Sequence, residues 1–246
     1  MVKEINQTNE RGTSRRSFLT GAALAGAGLG LGALTGANSA FGKTTGGDPC
    51  ESVQEIINIA ATAEALAVTL LGEALQNAAS GKLALNDEEQ QALRAARAQE
   101  QEHYAHLTRL GAKASTTTFT LSDPKIVTDV PTFLKTLIAL EEDSIALYLA
   151  AAQEFAILGH PERSELALAI TSVEAAHRVA ARSFAIDAGV ITGLPNDVAF
   201  QQAKFSSVGQ ATAALREMGF IGGEGTGLTY PGPGALDYSG MKDLTP

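Results

Sequence analysis

Twice in this chain a glutamate is followed three positions later by a histidine inside a helical run: Glu100 and His103 in "AQEQEHYAHL", Glu174 and His177 in "SVEAAHRVA". Residues three apart on a helix share one face. On a water-facing side such a pair has no consequence. On a core-facing side it forces a carboxylate and an imidazole into an apolar interior, where an unpaired charge is costly or must be neutralised. The helical register therefore decides what this chain can become.

A bundle core is lined by residues alternately three and four apart. In the run that begins after "LNDEEQ" the stripe reads Leu93, Ala96, Glu100, His103, Leu107, Leu110. In the run that begins at Pro161 it reads Ala167, Ile170, Glu174, His177, Ala181, Phe184. Both Glu–His pairs fall inside their stripes. A third run, from Pro131 to the residues before Gly159, gives Leu134, Ile138, Glu141, Ile145, Tyr148, Ala152, Phe155, with Glu141 on the stripe and Glu142 off it. The first run, from about Ser52 to Ala79, gives Val53, Ile57, Ala60, Glu64, Ala67, Leu71; its Ala-rich turns also permit another register. Four helices thus each bring an acid at mid-length to a common core, and two add a histidine one turn on. Four close acids repel one another. Two divalent cations with two imidazoles would balance the four carboxylates and satisfy them.

The punctuation supports four helices. Asn86 with Glu89 three residues later reads as a capping box opening the second run, and Gly111 suits its end. Pro131 and Pro161 are good first-turn residues. His160 reads as a helix-start residue. Ala and Leu dominate, aromatics are few and Trp is absent, which favours helix over sheet. The predicted connections are unequal: short within the first and last pairs, but about twenty residues of Thr, Ser and Pro, "GAKASTTTFTLSDPKIVTDV", between the second and third helices, read as a structureless crossover. Two helical hairpins joined by one long crossover is a known bundle connectivity. The expected fold is an all-α antiparallel four-helix bundle over residues 51–190. A C-terminal extension, 191–246, follows, with one short helix in "SVGQATAALREMG". Its Gly/Pro-rich tail reads as a strap with Tyr230, Leu236 and Tyr238 to bury.

Residues 1–42 read as an address rather than as structure, with 43–50 as a linker. "SRRSFLT" carries paired arginines ahead of a mildly apolar Gly/Ala run, and resembles a twin-arginine export signal. Cleavage near Ala40 to Gly42 would remove four basic and two acidic residues, taking the net charge from −9 to about −11. The expected destination is periplasmic or otherwise extracytoplasmic, with the export machinery as a partner. The alternative is an uncleaved signal serving as a membrane anchor. The negative charge argues against nucleic acid as a partner. The single cysteine, Cys50, excludes a disulfide framework and a Cys-based zinc or iron–sulfur site. Any metal must be held by carboxylate and imidazole. No Ser-His-Asp set, phosphate loop or dinucleotide fingerprint is visible, and the helix stripes read as too acidic for membrane insertion. His106 is expected to pair with Glu102 in solvent, and Tyr148 reads either as core packing or as a hydrogen-bond partner to a ligand.

Glu64, Glu100/His103, Glu141 and Glu174/His177 resemble the ligand pattern of the ferritin-like di-metal carboxylate proteins. "EQEHYAHLTRLGA" and "LEEDSIALYLAAA" are similar to the second and third helices of the exported members grouped with plant desiccation-related proteins. The resemblance covers about residues 51–189. It implies two metals: Glu64 and His103 on one, Glu141 and His177 on the other, with Glu100 and Glu174 bridging. It also implies iron, or iron with manganese, reacting with a small oxidant in ferrous-iron oxidation or peroxide removal, and leaves a homodimer open. The rival expectation is a stress-protective bundle with a static metal or none.

Overall fold

The computed structural model describes residues 50–232, 238 and 241–246; the segment read as an export signal, most of the linker and Leu236 lie outside the described residues. Four long helices form the bundle: α1 (Val53–Ala79), α2 (Asp87–Arg109), α3 (Val130–Ile157) and α4 (Pro161–Asp187). Helices α1 and α2 make one antiparallel hairpin, α3 and α4 the other, and the long crossover joins α2 to α3.

The helix ends follow from local chemistry. Ser52 and Glu55 form a reciprocal capping box at α1, and Asn86 and Glu89 form the expected one at α2. Asp129 caps α3, its carboxylate accepting from the Thr132 amide at 3.1 Å. His160 occupies the position before α4 without a side-chain cap. Gly159 ends α3 at φ +81°, which lets the His160 amide reach back to the Phe155 carbonyl at 2.8 Å. Gly111 at φ +96° closes α2 in the same way, and leaves Leu110 on the exposed side of the cap rather than on the core stripe.

The crossover is not structureless. Strand β1 (Thr118–Leu121) and a 3₁₀ turn (Pro124–Val127) lie within it. Strand β1 pairs antiparallel with β2 (Thr226–Thr229) from the C-terminal extension, with Phe119 opposite Leu228. The alternation in "TFTL" explains the strand: Phe119 and Leu121 turn inward and pack with Leu66 and Leu70 of α1. The short helix of the extension, α5 (Gly209–Glu217), adds Leu215 to the same cluster. The crossover and extension together form a layer over α1. That layer is why α1 buries residues all round its circumference. By length and composition α1 would pass for a membrane span, contrary to the sequence expectation, but 72% of its most apolar window is buried inside the protein.

Two apolar clusters plug the ends of the bundle. One gathers Ile57, Leu107, Tyr148, Phe155 and Ile170; the other gathers Leu71, Leu93, Phe133, Leu137 and Ala181. The acids of the four helices lie between them.

Candidate metal centre

All four mid-length glutamates are buried: Glu64, Glu100, Glu141 and Glu174 are each 5% exposed or less. The Ala-rich turns of α1 therefore take the register that turns Glu64 inward. The two histidines one turn on from Glu100 and Glu174 bring their Nδ1 atoms into the same space. His103 Nδ1 lies 3.6 Å from Glu64, 3.4 Å from Glu100 and 3.2 Å from Glu174. His177 Nδ1 lies 3.0 Å from Glu100, 3.8 Å from Glu141 and 3.8 Å from Glu174. The donors divide into two groups, Glu64/Glu100/His103/Glu174 and Glu100/Glu141/Glu174/His177, each with its ligand atoms within 4.8 Å of one another. Glu100 and Glu174 belong to both. Each turns one carboxylate oxygen toward His103 and the other toward His177.

The electrostatics show a cluster under strain. Burial, then the charge of Glu100, pushes the Glu64 carboxyl well above the usual range. Burial likewise raises Glu141, against the pull of His177. For Glu100, burial is outweighed by the two imidazoles of His103 and His177 beside it, which hold it well below the usual range. Both imidazoles are raised well above theirs, because the surrounding carboxylates overcome their burial. Without metal the cluster is thus a proton-sharing set of acids and imidazoliums.

Whether metals fit can be judged from the unpartnered atoms. His103 Nδ1, His177 Nδ1, Glu141 Oε2 and Glu174 Oε1 are buried without a hydrogen-bond partner. They sit near other members of the cluster but are not aimed at them with hydrogen-bond geometry. A cation in each group would give every one of these atoms a partner, and the carboxylate/imidazole donor set suits divalent first-row metals.

Two neighbours orient the donors. The Tyr148 hydroxyl donates to Glu64 Oε1, one of the two roles its stripe position allows. Gln99, which sequence reasoning passed over, lies 2.8 Å from His177 Nε2 through its Oε1. With Nε2–H donating to that amide oxygen, Nδ1 is left free to face the cluster. The only sequence signal for Gln99 was its place one residue before Glu100.

Of three other expectations, one changes and two hold. Glu102 and His106 form no ion pair among the described residues; Glu102 faces the Tyr238 hydroxyl, which burial and that carboxylate push up to about 12. Glu142 is off the core stripe, as expected, but is not idle. It accepts from the buried Arg178 at 3.0 Å and from Lys204 at 2.8 Å, while Arg178 also reaches Asp197 at 2.9 Å. Tyr230 does act as a strap contact, donating to Gln101 Oε1 at 2.6 Å with its ring 4.7 Å from that of Tyr104.

A four-helix bundle with a Glu-x-x-His on each of two helices and a lone glutamate on each of the others defines a class of metal-binding bundle. Residues 52–186 match the family described as ferritin-like domain, and the chain belongs to that family. No curated protein and no solved structure matches it.

Proposed function

We propose that this protein is an exported di-metal carboxylate protein of the ferritin-like family that uses a pair of iron ions, or iron with manganese, to react with oxygen or peroxide. The observation that supports it most is the sharing of Glu100 and Glu174 between two donor groups, one oxygen of each carboxylate to each group. Glu64 and His103 would complete one metal's shell, Glu141 and His177 the other's.

When bound, such metals supply one-electron redox chemistry and a site for a small oxidant. The chain contributes the rest. The apolar plugs on either side exclude bulk water. Gln99 fixes the His177 tautomer, and Tyr148 holds Glu64 while keeping a transferable proton on its hydroxyl.

The test is metal analysis of protein purified without oxygen from its native compartment, followed by exposure to oxygen and to peroxide. Two metals per chain, mostly iron, and an absorbance change on oxidation are expected. Protein that carries no metal would overturn the reading. Stoichiometric metal that reacts with neither oxidant would favour a second one, a stress-protective bundle with static metal. The near-complete burial of the four glutamates speaks for that alternative.

Export rests on the sequence of residues 1–42. Changing Arg15 and Arg16 together to Lys is expected to hold the precursor in the cytoplasm, because the twin-arginine machinery reads that pair. Undiminished export of the double variant would show that the segment is not such a signal.

A further inference from the structure

Helices α2 and α4 do not close on each other at mid-height. A cavity of about 650 Å³ lies between them. One wall is a single face of α2, with Gln91, Ala95, Gln99 and Glu102; the other is α4, with Leu166, Ala169 and Val173. His103 lines this cavity, and its side chain, 13% exposed, is more open than those of the five other cluster residues. Gln99, the partner of His177, lines it too. The space is far larger than the roughly 30 Å³ that a water molecule occupies in the liquid.

The remaining wall is the segment Met241–Pro246. The extension is anchored before it gets there: Tyr230 on Gln101 and Tyr104, Tyr238 beside Glu102. Beyond these anchors the hold is slight among the described residues. The Met241 amide donates to the Tyr238 carbonyl at 3.1 Å, and residues 242–246 are exposed. Asp243 sits at φ +52°, in the left-handed region that residues other than glycine adopt less readily. A segment with an anchored root, exposed residues and, among the described residues, few backbone hydrogen bonds opens at little cost.

We propose that the groove between α2 and α4 is the entrance to the metal centre, past His103, and that Met241–Pro246 form a lid over it. The lid is a property of the fold alone; its role as a gate for metal rests on the di-metal reading. Glu102 and Asp243 line the cavity beside His106 and Lys242, so charged groups of both signs stand along the way to His103.

Two measurements on a chain ending at Gly240 test this. The first does not depend on metal. With Cys50→Ser removing the native thiol, Ala95→Cys places a thiol in the groove, and its alkylation by iodoacetamide is timed with and without the last six residues. Removing the lid is expected to speed alkylation by about tenfold, the effect of a lid open about a tenth of the time. Equal rates in the two chains would overturn the lid. The second follows cobalt(II) uptake and its extraction by a chelator. Loss of the lid should accelerate both by a similar factor and leave metal per chain unchanged, while Ala169→Phe, which fills the groove from an exposed position, should slow both. Faster alkylation with unchanged cobalt kinetics in both variants would overturn the groove as the entrance. Failure of the full-length chain to bind cobalt at all would count against the di-metal reading, and alkylation would still decide the lid.

Discussion

Glu141 and Glu142 are neighbours that serve different structures. Glu141 faces His177 across the core. Glu142 faces the buried Arg178 and, through Lys204, the extension. Glu141→Ala is expected to lower metal per chain. Glu142→Ala should leave metal per chain unchanged but destabilise the fold by about 1–3 kcal/mol, since a buried guanidinium loses one acceptor and keeps only Asp197. Metal analysis and thermal unfolding of the two variants separate the effects; equal loss of metal would place the ligand on the wrong residue. Gln99 gives a companion test. Gln99→Leu is expected to weaken metal binding roughly 10–100-fold through a misplaced His177, with Gln99→Glu restoring much of it because it again accepts from Nε2–H. Unaltered affinity in Gln99→Leu would show that the amide does not orient the ring. The six cluster residues were legible in the sequence because each sits on an apolar stripe where a polar residue demands a partner. Gln99 and the network around Glu142 were not. Their partners come from other helices and from the extension, and no local periodicity encodes them.

At the scale of elements, the four helices were legible from periodicity and caps, while the layer over α1 was hidden. Strands β1 and β2 are short and far apart in sequence, and their pairing exists only once the bundle brings Phe119 and Leu228 together. The docking of α5 was hidden for the same reason. It hangs on two carboxyls at its N-terminal end: Glu51 accepts from the Gly209 amide at 2.7 Å, and Glu154 from the Val208 amide at 3.0 Å. Burial, then the adjoining Glu51, raises Glu154 to about 7. In the unfolded chain its pKa is about 4.3. Below that value both states hold the proton and stability is unaffected. As pH climbs from there, the unfolded state releases its proton while the folded state keeps it, so stability falls until about pH 7 and then levels off. The metal-free protein is therefore expected to lose melting temperature between pH 5 and 7.5. Glu154→Gln should remove part of that loss, since an amide accepts from Val208 and donates to Glu51 at every pH. Parallel melting curves for the two proteins across this range would show that Glu154 does not titrate there.

On the scale of the whole molecule, the bundle is two apolar plugs held apart by an acidic middle, and the middle is where metal and stability meet. Without metal, Glu64 and Glu141 are raised acids and His103 and His177 raised imidazoles, so the folded protein holds protons where the di-metal proposal puts cations. Metal must displace those protons, so binding should release them and tighten as pH rises. A ligand that binds only the folded state stabilises it by about 2.7 kcal/mol at a hundredfold excess over Kd. For a chain of this size that corresponds to a gain of roughly 5–10 °C in melting temperature. The gain should be larger at pH 8 than at pH 5.5. The overall acidity of the protein would draw cations to its surface as well, so a control must separate site from surface. Glu64→Gln with Glu141→Gln supplies it. Glutamine imitates a neutral acid in shape and charge, so the metal-free melting temperature should change little, while most of the metal-induced gain should disappear. Calorimetry with and without manganese(II) on both proteins decides the matter: a gain that survives intact in the double variant would mean that the metal stabilises the protein from somewhere other than this cluster.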